Sequence, residues 1–564
     1  MPAIVLATLN AKFIHASFGL RCLLANLGEL RPQTVLAEFT VGERPLDVAE
    51  RILELEPQVV GLGVYVWNVA PMTELVALLK RLRPELVIVL GGPEVSYESD
   101  GQEIVRLADF TIRGEGERSF PRLCRELLGG GSPPAKIVAG ALPELDELVS
   151  PYDEYTDADI AHRLIYVEAS RGCPFACEFC LSSLDEAVRS FPLEAFLAAM
   201  DRLLGRGVRH FKFVDRTFNL HLPASRRILE FFLERMAEVA SPPCPEPAVA
   251  RYPGLFLHFE MVPDRLPPEL RELLARFPAG TLQLEVGIQT FDPVVAASIG
   301  RRQDVAKLED NFRFLRAHTA AHVHADLIVG LPGETAAGFA AGFDRLVVLG
   351  PQEIQVGMLK RLRGAPIARH DVPDAMVYSP APPYEILRSR VVDFSTMQRL
   401  RRFARYWELV GNSGNFVETL PLFWAGAPSA GGRGVAERLH FQLASPVHCG
   451  SSGDSGTCAA ASPFAEFLHF SDWFFALERR HHGLALSRTM ERVFGFLVRE
   501  RGLAPEAVAA ALVGDCQRTG YLELPAAVKP FAPSGAIAEL NSRRGAAAQN
   551  TRRQARHRRP QGAV

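Results

Sequence analysis

The amino-terminal part of the chain alternates short apolar runs with longer amphipathic stretches. Its apolar runs, rich in Val, Ile and Leu, are AIVLATL, TVLAEF, VVGLGVYV, LVIVLGG and DFTIRG. Apolar runs without a polar alternation are typical of strands that are covered on both faces, and the segments between them have the length of helices. The pattern predicts a parallel sheet with helices on both sides, which is a small doubly wound α/β domain.

A second strand and helix pattern begins after residue 162. The run RLIYVEAS is followed by further apolar strands that each end in polar residues: HFKFVDRTFN, LFLHFEMVPD, LQLEVGIQTFD and VHADLIVGLPGET. Helical stretches such as LEAFLAAMDRLLGRG lie between them. Polar residues at the carboxyl ends of repeated strand and helix units are how a β/α barrel presents an active site. The length of this part predicts a partial, TIM-type (β/α)6 barrel.

These patterns divide the chain into a flavodoxin-like (Rossmann-type) domain, a barrel and a mostly α-helical carboxyl-terminal part. The segment after the first domain is rich in Pro, Gly and acidic residues, which predicts a linker. After Gly364 the pattern is that of amphipathic helices, whose aromatic residues predict a helical core or, alternatively, the lining of a substrate pocket. Those aromatic residues are Phe403, Tyr406, Trp407 and Phe416. The predicted boundaries are 1–135 for the first domain, 136–162 for the linker, 163–365 for the barrel, 366–525 for the helical domain and 526–564 for a disordered basic tail.

The composition is that of an ordinary soluble protein, with 48% hydrophobic and 23% charged residues. The first residues lack the charged and then apolar pattern of a signal peptide, and no apolar run reaches the ~18 residues needed to span a bilayer. Nine cysteines in 564 residues do not form a disulfide framework. The expected location is therefore the reducing cytoplasm.

The net charge of −3 conceals a basic end. No acidic residue follows Glu539, while the arginines there are Arg543, Arg544, Arg552, Arg553, Arg556, Arg558 and Arg559. A short tail of Ala, Gln and Arg predicts disorder, and contact with RNA is the alternative.

Three cysteines stand close together in SRGCPFACEFC, residues 170–180. Cys173, Cys177 and Cys180 follow CxxxCxxC spacing directly after an apolar strand. A closed zinc site needs four ligands, whereas three thiolates in one loop suit three irons of a [4Fe–4S] cubane. The fourth iron would then be left for a small molecule. Zinc with a remote histidine and three incidental cysteines are the alternatives.

This motif, with Phe179 before its last cysteine, resembles the radical S-adenosylmethionine (SAM) superfamily. The resemblance implies that SAM binds the unique iron and that an electron from the reduced cluster cleaves SAM to a 5′-deoxyadenosyl radical. EVGIQTFD, IGRRQD and DLIVGLPGET resemble the branch that contains oxygen-independent coproporphyrinogen oxidase and the cobalamin-dependent enzymes. DRTFN stands where the usual Gly-Gly-Glu is missing, as in many cobalamin-associated members. The SAM-binding residues implied by this resemblance are Phe179, Asp215, Glu260, Gln289, Arg301 and Asp326.

The loops after the strands of the first domain, NAKFIHASFG, YVWN, GGPEVS and RGEGE, carry glycines and polar residues. Ligands of doubly wound sheets bind beyond the carboxyl ends of the strands, so these loops predict a ligand site. The order of strands and loops over residues 1–130 resembles the cobalamin-binding domain that precedes many radical SAM enzymes. By this resemblance the cobalamin-binding residues are Asn10, Lys12, His15, Tyr65, Trp67, Asn68, Gly91, Gly92 and Glu94. Phe13 replaces the Asp of the Asp-x-His-x-x-Gly signature, so no carboxylate orients His15 as an axial ligand.

Together the resemblances predict a cobalamin-dependent radical SAM enzyme that uses a [4Fe–4S] cluster, SAM and cobalamin to methylate an unactivated carbon. The carboxyl-terminal part resembles the uncharacterised module that follows some cobalamin-binding radical SAM proteins. One alternative is radical oxidation, cyclisation or rearrangement in which cobalamin donates no methyl group, and another leaves the first domain vestigial. An RNA-binding protein with a structural cluster is an alternative of a different class. The family implies a low-potential ferredoxin or flavodoxin as electron donor, and the substrate stays unknown.

Overall fold

The computed structural model describes residues 1–185, 187–236, 238–239, 249–250, 254–424, 462–521, 523–536, 540 and 553–557. It contains two compact units, one formed by Met1–Gly342 with Leu349–Met397 and the other by Phe343–Val348 with Gln398–Val564. Cys449 and Cys458, two thiols that are too few to predict an auxiliary cluster, and most arginines of the basic end lie outside the described residues. In the described ranges, no helix is both long enough and apolar enough to span a bilayer.

The first sheet has six parallel strands in the order β2-β1-β3-β4-β5-β6. The strands are β1 (Ile4–Asn10), β2 (Thr34–Thr40), β3 (Val59–Gly63), β4 (Val87–Gly91), β5 (Phe110–Arg113) and β6 (Ile137–Ala139). The helices around it are Phe18–Ala25, Pro45–Leu53, Val69–Leu82, Pro93–Ser96, Glu103–Leu107 and Ser119–Leu128. This is the doubly wound, flavodoxin-like arrangement that the sequence predicts.

Neighbouring residues of β1 enter two separate hydrophobic cores. Val5 and Leu9 belong to the core that contains residues of helices Pro45–Leu53 and Val69–Leu82. Ile4 and Leu6 belong to the core that contains residues of helices Phe18–Ala25 and Ser119–Leu128. Because successive side chains of a strand point to opposite faces, both faces of β1 are buried and neither is exposed to solvent. This explains the continuous apolar runs of the sequence.

The segment predicted as a linker is ordered and belongs to the first unit. Strand β6 pairs with β5, so the first sheet extends beyond the predicted boundary at residue 135. Helix Asp157–His162 begins with a capping box between Thr156 and Asp159. The Asp159 carboxylate then accepts a hydrogen bond of 2.8 Å from Arg21, which also pairs with Glu38 at 2.7 Å. Buried charge pairing, which composition does not reveal, holds this segment against the first domain.

The barrel has six parallel strands in sequential order, as the sequence predicts. From the first to the sixth they are Ile165–Val167, His210–Phe213, Phe256–Met261, Leu282–Gln289, His322–Val329 and Glu353–Met358. The helices of the barrel are Leu193–Gly205, Leu222–Met236, Pro268–Ala275, Pro293–Ser298, Val305–His318 and Ala336–Leu349. Phe213, Phe218 and Phe259 form an aromatic cluster, with ring centroids 4.0–5.9 Å apart. Phe213 also contacts Phe196 and Phe232 of the surrounding helices, so this cluster packs the strands against the helices.

Shorter pairs of antiparallel strands accompany the barrel. They are Ser170–Arg171 with Arg189–Ser190, Glu238–Val239 with Val249–Ala250, and Val377–Tyr378 with Ile386–Arg388. The last pair lies in the first unit. The second unit resumes at Gln398, so the helical part starts about thirty residues later than the boundary predicted at residue 366. The described 3-10 helices are Gly28–Gln33, Ser99–Gly101, Leu145–Glu147, Pro151–Glu154, Leu181–Leu184, Pro366–His370, Leu420–Phe423 and Lys529–Phe531.

The second unit is helical and has an aromatic core. Its helices are Phe394–Val410, which begins in the first unit, Pro463–Glu478, Leu486–Arg499, Pro505–Thr519 and Arg553–Arg556. Phe403, Tyr406, Trp407 and Phe416 are at most 3% exposed, so they form the core rather than a pocket lining. In the tail that the sequence predicts as disordered, the Arg553 guanidinium pairs with Glu408 at 2.6 Å. One arginine of the basic end is thereby neutralised within the unit.

We expect Arg21→Ala to lower the free energy of unfolding by about 3–5 kcal/mol, because it leaves the buried carboxylates of Glu38 and Asp159 without their cation. Arg44→Ala removes a pair whose two side chains are 72% and 55% exposed and should cost less than about 1 kcal/mol. Urea denaturation followed by circular dichroism measures both effects. Equal losses in the two variants would contradict the role of Arg21.

The same ion pairs predict how the difference depends on pH. Burial alone would raise the pKa of Glu38 and of Asp159, but Arg21 holds both pKa values below their ordinary range. A lowered pKa in the folded state stabilises the fold above the ordinary carboxyl pKa of about 4 and ceases to do so as the pH falls towards the folded pKa. The difference between wild type and Arg21→Ala should therefore narrow as the pH falls below about 4.

Candidate functional site

The three clustered cysteines lie in a loop that is closed at its base by a short hairpin. Ser170–Arg171 pairs with Arg189–Ser190, and the backbone N–H of Cys173 donates to the carbonyl of Asp185 at 2.9 Å. Gly172 has a φ of +92°, and a Cβ there would overlap the carbonyl of Ala187. A glycine is therefore required directly before the first cysteine. The loop presents three unpaired thiols, with Cys177 buried and the others half-buried.

Two arginines face these thiols. Burial raises the pKa of Cys173 and Cys177, and neighbouring thiolates raise it further. Arg216 opposes this rise at Cys173, and Arg301, whose Nη1 is 3.5 Å from the Cys177 Sγ, opposes it at Cys177. Metal binding requires thiolates, so positive charge beside the sulfurs favours the binding form. Among the described side chains, no three His, Cys, Asp or Glu residues are grouped so as to hold a single metal ion.

A cavity of about 260 Å³, the cysteine cavity, lies between the cysteine loop and the carboxyl ends of the barrel strands. Cys173, Cys177 and Cys180 line it. Five of the six residues predicted to bind SAM line it as well: Phe179, Glu260, Gln289, Arg301 and Asp326. The fold therefore brings residues that are up to 153 positions apart in the chain, from Cys173 to Asp326, to one cavity. Arg216, Glu285 and Arg302 also line it, and no motif in the sequence marks Arg216 or Glu285 as residues of the site.

Asp215 is the predicted SAM residue that does not line this cavity. Its side chain is buried, and its carboxylate accepts hydrogen bonds from the Ala169 backbone N–H at 3.0 Å and the Ser170 hydroxyl at 2.6 Å. Burial raises its pKa to about 6. The next residue, Arg216, reaches the cavity instead and pairs with Glu260 at 3.0 Å. Asp215 supports the strand end that leads into the cysteine loop.

Gln289 enters the cavity because the fourth barrel strand is irregular at its end. The pairing with the fifth strand shifts between Gly287 and Gln289, and Gln289 has a φ of +71°. Bulges and positive φ values in non-glycine residues cost conformational energy and are concentrated at functional sites. The Arg301 guanidinium donates to the carbonyl of Gly287 and fixes this bulge. No hydrophobic pattern in the sequence reports such a bulge.

Three carboxylates face the cavity from the third, fourth and fifth barrel strands. Burial raises the pKa of Asp326 well above its ordinary value, and the charges of Glu285 and Glu260 raise it further. Burial would also raise the pKa of Glu285, but the hydrogen bond from His258 and the charge of Lys212 keep it low. The low pKa favours the ionised form of Glu285, and the raised pKa favours proton uptake by Asp326. The Asp326 Oδ1 is buried and makes no hydrogen bond with the described protein atoms, although the His324 Nε2 lies 3.4 Å from it. A bound ligand can therefore supply a hydrogen-bond partner for this oxygen.

The first domain has a glycine-lined cavity of about 280 Å³, the glycine cavity, at the carboxyl ends of its strands. Predicted residues Tyr65, Gly91 and Gly92 line it, and so do Gly63, Gly114 and Gly116. A Cβ added to Gly91 or Gly114 would meet no atom within 4 Å, so the absence of side chains there keeps the space open. Glycines at these positions let a ligand approach the backbone closely.

A third cavity, of about 640 Å³, lies between the first domain and the cysteine loop and is named the bridging cavity. Tyr65, Gly92 and Gly114 line both it and the glycine cavity. Phe179, Cys180, Ser182 and Arg216 line both it and the cysteine cavity. The three cavities are therefore adjacent, in a row from the edge of the first sheet to the cysteine loop. Predicted residues Trp67 and Glu94 line the bridging cavity, and the Trp67 ring stacks on Tyr65 at 4.4 Å.

The remaining predicted cobalamin residues line none of these three cavities. Asn68 is buried and donates to the carbonyls of Leu9 and Gly63, and Asn10 donates to Glu38. Lys12 is exposed. The Nδ1 of His15 is 2.7 Å from the Tyr166 hydroxyl of the first barrel strand. Asn10, Asn68 and His15 thus hold loops in place where the structure positions them.

Arg171 joins the walls of the glycine cavity and the cysteine loop. Its guanidinium pairs with Glu115 at 2.9 Å and with Glu117 at 2.7 Å, both in the loop after β5, and with Glu168 at 2.9 Å. Glu115 also pairs with Arg189, which closes the base of the cysteine loop. Burial raises the pKa of Glu168 to about 7, although Arg171 opposes the rise. The residues of this ion-pair cluster lie in two motifs of the sequence, RGEGE, which has a net negative charge, and SRGC, which has a positive charge.

Family models match three parts of the chain. A B12 binding domain matches residues 4–124, the radical SAM superfamily matches residues 167–345, and a protein family of unknown function (DUF4080) matches residues 375–430. The chain is 26% identical over 345 residues to the cobalamin-dependent radical SAM methyltransferase TokK of Streptomyces tokunonensis, which covers 56% of this chain and 48% of TokK. The chain spans about half the length of the curated relatives it matches.

Two solved structures share the fold. The cobalamin-dependent SAM radical enzyme OxsB, with aqua-cobalamin bound, has a TM-score of 0.57 at 12% identity and covers 97% of this chain and 84% of its own. The radical SAM methyltransferase TsrM of Kitasatospora setae, with cobalamin and a [4Fe–4S] cluster bound, has a TM-score of 0.53 at 17% identity and covers 65% of this chain and 74% of its own. The chain thus contains a part that matches the radical SAM superfamily and an amino-terminal part that matches a B12 binding domain. These two domains imply a [4Fe–4S] cluster, SAM and cobalamin as cofactors.

Proposed function

We propose that this protein is a cobalamin-dependent radical SAM methyltransferase that methylates an unactivated carbon of its substrate. The observation that carries the proposal is that the bridging cavity shares lining residues with the glycine cavity on one side and with the cysteine cavity on the other. A methyl donor at one end and a SAM cleavage site at the other would then act on one substrate between them. The resemblance to TokK, a methyltransferase by name, supports methyl transfer over the radical alternatives.

The residues of the cysteine cavity fit a cluster and SAM. Cys173, Cys177 and Cys180 would hold three irons, since iron–sulfur clusters select thiolate ligands. Gln289 and Asp326 offer hydrogen bonds to ribose hydroxyls, and Arg301 can pair with the SAM carboxylate. When bound, the cluster and SAM supply hydrogen abstraction from carbon, and cobalamin supplies the methyl group. The chain's own task is to orient these groups and to exclude water.

The first domain fits the nucleotide part of cobalamin. The open space at Gly91 and Gly114 admits a ligand between the strand ends, and Tyr65 and Trp67 present a stacked aromatic surface to the bridging cavity. His15 contacts Tyr166 and lines none of the glycine, bridging and cysteine cavities, so we propose no axial ligand role for it. The Arg171 ion pairs hold the two cofactor sites at a fixed separation, because each of its partners is at most 20% exposed.

Purification without oxygen, with cobalamin supplied, tests the cofactor assignment. We expect about four irons and four sulfides per chain, as in one cubane, stoichiometric corrinoid, and 5′-deoxyadenosine formation with dithionite. Donation of a methyl group by SAM leaves S-adenosylhomocysteine, whereas a radical reaction without methyl transfer leaves only 5′-deoxyadenosine. Detection of both products supports the methyltransferase. Iron and cleavage without corrinoid would remove cobalamin from the proposal.

Cys177→Ala should abolish both the iron content after reconstitution and the cleavage of SAM, because two thiolates cannot retain the cluster in this loop. The matched control is Cys516→Ala, which changes an isolated buried thiol of the second unit. Iron analysis and the ultraviolet–visible spectrum of each variant provide the measurement. Wild-type iron content in Cys177→Ala would refute the cluster assignment.

Gly91→Leu should lower the bound corrinoid at least about tenfold, because its side chain would fill the open space of the glycine cavity. A tenfold loss of affinity corresponds to ~1.4 kcal/mol of binding free energy. Gly101→Leu is the control, since a Cβ at this exposed position also meets no atom within 4 Å. Corrinoid absorbance per chain is the readout. Full corrinoid content in Gly91→Leu would exclude this cavity as the cobalamin site.

A further inference from the structure

A groove of about 800 Å³ lies along the cysteine loop, next to the cysteine cavity. It is named the outer groove and is lined by Pro174, Phe175 and Ala176, which are the residues between Cys173 and Cys177, together with Arg265, Gly300 and Arg302. None of the functions proposed above uses this groove. Its position along the loop raises the question of what reaches the cysteines from this side.

Only one layer of side chains separates the outer groove from the cysteine cavity. Phe175, Arg301, Arg302 and Gln303 line both spaces, so they form the wall between them. Gly300 packs directly on the loop, since a Cβ there would overlap the carbonyl of Ala176. The backbone N–H of Glu178 also donates to the carbonyl of Ile299 at 3.0 Å. The turn after helix Pro293–Ser298 thus holds the loop against the groove.

The outer groove combines an apolar floor with cationic arginines. Pro174, Phe175 and Ala176 give the floor, and the Arg265 side chain is 64% exposed. The nearest acid to Arg265, Asp264, is 3.9 Å away and accepts a hydrogen bond from the Asp304 backbone. Asp292, the acid that lines the groove, caps a helix by accepting from the backbone N–H groups of Val294 and Val295. Arg265 and Arg302 therefore present positive charge in the groove, which favours a partner with an acidic surface.

We propose that the outer groove is the docking site of an acidic, low-potential electron carrier, a ferredoxin or flavodoxin, which reduces the cluster. This inference rests on the proposed function, because it needs a cluster on the three cysteines. Complementary charges steer and orient weak encounters of this kind, while a small apolar contact brings the redox centres close. One electron leaves the reduced carrier and enters the cluster, and no bond forms or breaks in this step.

The test uses Arg265→Glu in the full-length protein with its cofactors loaded. Binding of oxidised flavodoxin and of oxidised ferredoxin, measured by calorimetry at low ionic strength, should weaken about tenfold or more when an attractive charge becomes repulsive. The salt dependence of binding should also fall, since part of the attraction is screened by ions. SAM cleavage driven by reduced carrier should decrease accordingly. Cleavage driven by dithionite, a small reductant that needs no docking, should stay at the wild-type rate.

Arg202→Glu is the matched control, because it makes the same charge change on a half-exposed arginine of helix Leu193–Gly205. Unchanged carrier affinity in Arg265→Glu, an equal loss in both variants, or no binding of either carrier to the wild type would overturn the docking site. Failure of the proposed function is seen separately, as absence of dithionite-driven SAM cleavage in the wild type. A loss of dithionite-driven cleavage in Arg265→Glu alone would assign Arg265 to the SAM site instead and would also overturn the proposal.

Discussion

The ion pairs of Arg171 are the interaction on which the arrangement of the cofactor sites depends. A single guanidinium, 13% exposed, is shared by Glu115, Glu117 and Glu168. Removal of one partner from a buried cluster of this kind leaves uncompensated charge and costs several kcal/mol, roughly 3–5. Since Arg171 stands two residues before Cys173, this energy fixes the cysteine loop relative to the glycine-rich loop after β5. The bridging cavity between them keeps its shape for the same reason.

The position of the site follows from the direction of the strands. Both the first sheet and the barrel are parallel, so each collects the carboxyl ends of its strands, and the loops that follow them, at one edge. The two edges meet across the bridging cavity, which residues of both domains line. The loops that follow the strands at these edges carry glycines and charged residues, whereas the strands themselves are mostly apolar. Function and packing are thus separated along each strand.

Uncommon backbone conformations flank the cysteine cavity and its loop. Gln289 has a positive φ within a bulge, and Gly172 and Gly300 have positive φ values on either side of the cysteine loop. Such conformations persist only where surrounding contacts determine them, here the Arg301 bond to the Gly287 carbonyl and the packing of Gly300 on Ala176. The same contacts bring the outer groove within one side chain of the cysteine cavity. The contacts that fix the cysteine loop therefore shape both the cysteine cavity and the outer groove.

The sequence by itself determined the two parallel sheets, the order of the domains and the three cysteines. Apolar runs report burial on both faces of a strand, and ligand spacing within one loop is a local property, so both can be read from neighbouring residues. The tertiary structure decided which distant residues share a cavity: it brought in Arg216 and Glu285 and placed Asp215, Asn68 and His15 in supporting contacts. The tertiary structure also holds residues 136–162 against the first domain, through the pairing of β6 with β5 and of Asp159 with Arg21. These outcomes depend on bulges and on charge pairs between residues more than a hundred positions apart, and no local pattern encodes them.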